Sequence, residues 1–433
     1  MLARARTGTF LTFALAGLLC GVWTSRMPAL ASKFGTSEAE IGVVVLVWGL
    51  GALVAMQGLR SVMGRFGSRA VLRVSLPLTA VSYIGVAYAP SYGVLIAAVA
   101  LFGMTFGITD IAMNAQASVV EQAYKRSILS SMHAGWCVGA MSGGLIGFGT
   151  AHAGLGFSAT VLAASLAALP VALLLGPTYL ADRPAPVAAA GEGGRRRARL
   201  PLAVYLVGVL AFIAFMTEGS IADWSGLLLH GELGATQAVA ALGYPMFQLA
   251  MLIGRVAGDH LRMWVGTRNM LTGAGLGTAV AMTVVVTAPN TAVALVGFFL
   301  TGLVVCTVVP TSMSLAGTSA PDQPAAAVAQ AGAMGYGGLL LGPVIVGFLA
   351  DATSLRIGVG AVVLLALMIA VGSRFVPLGP AEVGARSGER TASEIVVTAD
   401  EPVPSGTRAP QPEGDPRREA DPLREGEPHP VPA

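Results

Sequence analysis

The chain has 433 residues, 54% of them hydrophobic and only 11% charged, with 56 glycines and a formal net charge of +3. Soluble domains carry about 25% charged residues, so a large water-soluble core is excluded, and a mean hydropathy of +0.72 points to a polytopic membrane protein. The three cysteines (Cys20, Cys137 and Cys306) all lie in apolar runs, which argues against a disulfide framework and a zinc site.

At the N-terminus, Arg4 and Arg6 precede an apolar stretch from Thr7 to Met27. It imitates a secretory leader, but at about 20 residues it exceeds the roughly 7–15 of a leader's apolar region. It reads as a retained first transmembrane span. Apolar runs of spanning length then recur, near 8–29, 40–62, 72–90, 93–119, 130–151, 155–179, 201–229, 236–257, 268–288, 291–316, 326–350 and 355–376. The sequence therefore predicts an all-α membrane protein with twelve transmembrane helices.

The fourth span poses the first chemical question. In "FGITDIAMNAQ" Asp110 and Asn114 sit inside an apolar run, four residues apart and hence on one helix face. Counting from Glu121 at about 1.5 Å per residue places Asp110 about 16 Å deep, near the bilayer midplane. An unpartnered carboxylate there costs several kcal/mol, so the position demands a partner or a proton. The fifth span, "SSMHAGWCVGAMSGGLIG", carries a ridge of Gly135, Gly139, Gly143 and Gly147 at four-residue steps, a pattern that lets helices approach closely in lipid. His133 and Trp136 lie at its start, the first able to relay protons, the second able to stack on a sugar ring.

The seventh span repeats the puzzle with Glu218 at mid-depth, Ser225 on the same face, and Asp223 turned away and nearer the far end. Gln248 in the eighth span and Gln330 and Tyr336 in the eleventh add uncharged polar groups suited to solute recognition or to interhelical bonding. The fifth span has Gly143-Gly144, and the eleventh has Gly342-Pro343.

Residues 181–200, "ADRPAPVAAAGEGGRRRARL", read as a basic linker between residues 1–180 and 201–378. Residues 379–433 are rich in proline and mixed charge and read as a disordered tail. With twelve spans both termini share one side. That side receives Arg4, Arg6, the Arg60–Arg73 cluster, Lys125, Arg126, the linker arginines, Arg255, Arg262, Arg268 and Arg374, against only Arg26, Lys33 and Arg356 opposite. The asymmetry puts both termini in the cytoplasm of a bacterial-type inner membrane. "RRRAR" then reads as a topology anchor on anionic lipid, not a nucleic-acid site. No Walker-type phosphate loop and no nucleophile–base cluster occurs, so neither direct ATP drive nor an enzyme is expected.

The two halves superimpose at an offset of 199 residues: "GSRAVL" from Gly67 falls on "GTRNML" from Gly266, Gly139 on Gly338 and Gly143 on Gly342. Such a duplication of six helices, together with the turn "RSVMGRFGSR", resembles the Major Facilitator Superfamily. That family's signature between helices 2 and 3 is Gly-x-x-x-Asp-Arg-x-Gly-Arg-Arg. Arg65, Gly67 and Arg69 match it, whereas Arg60 and Gly64 stand in place of its Gly and Asp. Gly258-Asp259 and Gly266-x-Arg268 keep its elements in the second half. The resemblance implies gate roles for Arg65, Arg69 and Asp259, and a central cavity lined by helices 1, 4, 7 and 10.

Within the family, "Gly-x-x-Asp-x-x-x-Asn" in the fourth span is similar to the fucose–proton symporter branch, with Asp110 where that branch has Glu and Asn114 matching. The branch's acid in the first helix has no counterpart; Arg26 lies there instead, a candidate outer-gate partner for Asp223. The resulting expectation is a proton-coupled transporter of a small polar solute, monomeric in the lipid bilayer and without cofactor or metal. Asp110, Glu218 and His133 would carry protons, and Asn114, Trp136, Gln248, Gln330 and Tyr336 would bind solute. A drug–proton antiporter is the alternative.

Overall fold

The computed structural model describes residues 2–125, 128–182 and 199–376. The interior of the expected linker (183–198) and the expected tail lie outside the described residues. The helices are α1 (Leu2–Ser25), α2 (Met27–Phe34), α3 (Glu38–Ala87), α4 (Tyr92–Tyr124), α5 (Leu129–His152), α6 (Phe157–Leu175), α7 (Leu202–Leu227), α8 (Gln237–Ala240), α9 (Gly243–Val265), α10 (Thr267–Val286), α11 (Thr291–Val305), α12 (Val308–Ser319), α13 (Pro324–Ala352) and α14 (Leu355–Gly372). No strand occurs among the described residues.

Among the described residues, eleven helical segments are long and apolar enough to cross a membrane. The expected fifth span is α5, which has the length, 24 residues, but is diluted by glycine, serine and His133. The second and third spans form one hydrogen-bonded run, α3, divided where Gly67 leaves the helical region at φ 76° and ψ 166°. That conformation is accessible essentially to glycine alone. Gly266, its counterpart at the offset of 199, adopts φ 75° and ψ 154° before α10.

The repeat extends to packing. In the first repeat α1 lies on α5, the first part of α3 on α4, and the second part of α3 on α6; in the second, α7 lies on α13, α9 on α11, and α10 on α14. Helix association in lipid gains little from hydrophobicity and depends on close van der Waals contact. The glycine ridge of α5 supplies it: a methyl group on Gly135, Gly139 or Gly143 would strike the backbone oxygens of Phe10, Ala14 or Leu18 in α1. In the second repeat Gly338 and Gly342 of α13 stand equally close to the Phe212 and Met216 oxygens of α7. Apolar side chains such as Leu174 (74% exposed), Val280 (67%) and Leu364 (66%) cover the outward faces.

The helix ends show the same relation. Ser91 caps α4 by accepting from the Val94 N–H, and Asn290, 199 residues on, caps α11 by accepting from Val293. The Lys33 ammonium donates to the Ala87 and Ala89 oxygens at 3.0 and 3.2 Å, closing the C-terminus of α3. At α10 the matching Val286 and Ala288 oxygens receive Arg356 at 2.9 and 3.2 Å. Position 232, where Lys33 would fall in the second repeat, holds Glu232, which pairs with Arg356 at 3.4 Å. Both cations complement the negative end of a helix. Arg26 does likewise, donating to the Leu155 oxygen at 2.6 Å. The three exceptions to the arginine asymmetry thus all serve backbone carbonyls at one end of the molecule.

Candidate functional site

Asp110 lies in the middle of α4, half-buried. Asn114, one turn on, donates to its backbone oxygen at 2.9 Å and to Oδ1 at 3.3 Å, as their spacing predicts. Oδ2 accepts from the Tyr336 hydroxyl of α13 at 2.9 Å, a bond that joins the two repeats. The Tyr336 ring stacks on Phe215 of α7 and is 42% exposed. A hydroxyl donating to a carboxylate in a low-dielectric setting is a strong bond, worth about 1.5–3 kcal/mol.

Along α5, His133 is exposed and meets Phe13 of α1 edge-on at 5.3 Å. Trp136 stands edge-on to Phe106 of α4 at 6.0 Å, and Phe106 adjoins Trp48 at 5.3 Å. Glu218 of α7 is half-buried, with Oε1 enclosed and free of any hydrogen bond. Arg255 of α9 lies within electrostatic range of it and contacts Cys137 Sγ at 3.5 Å through Nη1. The sequence reading assigned Arg255 to the cytoplasmic charge cluster. Arg255 is the last residue of the apolar span Gln237–Arg255, on the helix face of Gln248 seven residues earlier, and α9 runs on to Val265. A lone arginine in "MLIGRVAG" was the signal that could have marked it.

The other expected residues divide. Gln248 is 5% exposed and donates within its own helix to the Tyr244 hydroxyl. Gln330 is half-buried on α13, six residues before Tyr336. Arg26 and Asp223 are not paired: the Nε and Nη1 atoms of Arg26 have no hydrogen-bond partner and its Nη2 serves Leu155, while Asp223 faces the Trp23 indole. Arg65 is exposed, its guanidinium 5.3 Å from the Phe66 ring centre. The backbone N–H groups of Ser68 and Arg69 donate to the Asp182 carboxylate. An acid from beyond α6 therefore caps the helix after Gly67, where the family signature would place its own Asp one turn earlier. The side chain of Asp259 lies outside the described residues. No metal-holding cluster is found among the described residues.

The repeats also meet at the end of the molecule that carries Glu38. The Ala39 N–H donates to Asp351 at 3.4 Å and Gln237 reaches Ser32 at 3.5 Å. Gly42 of α3 lies against Gly347 of α13, and Gly144 of α5 against Pro245 of α9. None of these contacts lies nearer the Arg69 end than Asp110 and Cys137. The repeats thus touch at the Glu38 end, while Asp110, Glu218 and Arg255 are half-buried and His133 and Tyr336 exposed.

A duplicated bundle of apolar helices with polar and charged groups at mid-depth defines a membrane transport protein, not an enzyme. The Major Facilitator Superfamily profile matches residues 8–329, and the chain belongs to that family. It is similar to an uncharacterized MFS-type transporter of Yersinia pestis (30% identity over 377 residues, 86% of this chain and 95% of the relative). An uncharacterized transporter, y4wD, of Sinorhizobium fredii is 32% identical over 366 residues, 83% of this chain and 94% of the relative. Among solved structures, the nucleoside transporter NupG superimposes with a TM-score of 0.70 at 12% identity, covering 87% of this chain and 99% of that one. The E. coli fucose:proton symporter FucP gives 0.60 at 15% identity, covering 86% and 98%. These structural likenesses establish the fold.

Proposed function

We propose that the protein is a proton-coupled symporter of a small polar solute, working by alternating access around Asp110, Asn114, Tyr336 and Trp136. The observation that carries this reading is the Tyr336–Asp110 hydrogen bond. A mid-depth carboxylate, half-buried, is held by a donor from the other repeat. Its proton and that bond change together when the repeats move apart, so opening and protonation are linked. Repeats that rock about a fixed site are the known solution for this topology. The arginine asymmetry makes the Arg69 end cytoplasmic, so the conformation described here faces inward, in a bacterial-type inner membrane. The fucose:proton symporter among the structural neighbours supports the coupling ion; the pairing of an acid with amide and hydroxyl groups supports a hydrogen-bonding solute.

The test is uptake into proteoliposomes under an imposed inward proton gradient. Asp110→Asn should abolish gradient-driven accumulation while retaining exchange of labelled solute at equal concentration on both sides. Accumulation undiminished in that variant refutes Asp110 as the coupling group. Expulsion of hydrophobic cations driven by inward proton flow would favour the antiporter.

A further inference from the structure

Proposing proton-coupled transport leaves the Arg255 cluster without a role. Resting on that reading, we infer that Arg255 anchors a carboxylate on the transported solute and that Glu218 is its competitor for the same guanidinium. A guanidinium within a membrane span is expensive to keep unless partnered. Arg255 nevertheless forms no ion pair with Glu218 among the described residues. Its Nε is buried and unbonded, and among the described residues Nη1 meets the thiol of Cys137, a poor acceptor, at 3.5 Å. Glu218 Oε1 is enclosed and unbonded too, as is Oε1 of Gln248, whose side chain is 5% exposed and shares a helix face with Arg255. Three buried polar atoms with unmet capacity, on α7 and α9, are what a bound ligand would satisfy.

A planar guanidinium with free donors matches a carboxylate, which it grips with two parallel bonds. A single arginine beside a glutamate balances one negative charge; a phosphate dianion would call for a second cation. When Glu218 is ionised it satisfies Arg255 itself. When it holds a proton, Arg255 is free for the solute. Solute and proton then bind together, which couples an anionic solute to the proton gradient. The other titratable groups facing this pair are His133 and Cys137 from α5, Cys306 from the junction of α11 and α12, and Tyr244 of α9; Cys20 from α1 adjoins Tyr244. Asp110 and Tyr336 line the opposite side, where hydroxyl groups of the same solute would bond.

The experiment measures binding to the full-length protein in lipid nanodiscs by calorimetry. The probes are gluconate and galacturonate, with glucose and galactose as uncharged counterparts, and inorganic phosphate. A carboxylate should bind and its counterpart should not, with affinity falling as pH rises. Arg255→Gln should weaken carboxylate binding by about 10- to 100-fold, and Arg255→Lys less. Glu218→Gln should bind the carboxylate with the pH dependence removed. Binding of the neutral sugars alone, of phosphate alone, or of no carboxylate overturns the inference, as does full affinity in Arg255→Gln. If neutral sugars are pumped by the gradient, the transport reading stands and this one falls. If carboxylates bind through Arg255 but no gradient drives them, the transport reading falls and this one stands.

Discussion

Gly42 offers a direct handle on the closed end. A methyl group placed on it would lie 3.6 Å from Gly347 Cα and 3.7 Å from the Val344 oxygen. That is ordinary contact, so Gly42→Ala should leave the closed state unchanged. Gly42→Leu adds three further carbon atoms to a seam with no room for them, and α3 and α13 must separate. Overpacking of this kind costs about 1–3 kcal/mol. Because the cost falls only on the conformation in which this seam is shut, it shifts the balance toward the opposite-facing state by roughly 5- to 150-fold. Spin labels at the exposed Glu38 and Ala352 positions, on a background without the three cysteines, would read the change by pulsed electron spectroscopy in nanodiscs. The expected outcome is a longer distance in Gly42→Leu and the parental distance in Gly42→Ala. If the leucine variant loses thermal stability with an unchanged distance distribution, the seam is a static contact and the reasoning fails.

Other expectations follow from named contacts. Lys33→Met and Arg356→Met should each lower the apparent unfolding temperature, by about 1–2 kcal/mol of stability, since each uncaps two carbonyl oxygens. Glu232→Gln should cost less, about 0.2–1 kcal/mol, because the ion pair is one-third exposed and screened by solvent. Gly67→Ala should cost about 1–3 kcal/mol for its backbone conformation, with more for the clash with Asp182. Gly93→Ala, in a helix with open space at the Cβ position, should be neutral or slightly stabilising; equal losses at both would count against the turn's special geometry. Tyr336→Phe should reduce gradient-driven uptake by about 10- to 100-fold. Unchanged uptake would remove the bond to Asp110 from the mechanism.

Much of this architecture is written locally. Runs of twenty apolar residues announce spans, a four-residue step places Asp110 and Asn114 on one face, and an offset of 199 pairs Gly67 with Gly266. The partner of Asp110 is not local. Tyr336 lies 226 residues away, and only the packing of one repeat on the other brings it near. Charge counting places Arg255 at the end of its span, where the structure also has it, but it gives no sign that the side chain meets Cys137 of the other repeat. The Arg26–Asp223 pairing failed for a related reason: proximity at one end of a bundle does not choose between a carboxylate and a free carbonyl, and Leu155 was nearer. Asp182 capping the turn at Gly67 had no signal beyond its place at the start of the linker.

The two cationic clamps reach one arrangement by different routes. In one repeat a lysine reaches the helix end from the preceding segment; in the other an acidic residue stands at that position and the positive charge comes from the final helix. The same pair of carbonyls is served by different wiring. Each clamp draws all its partners from its own repeat, so neither of them ties one repeat to the other.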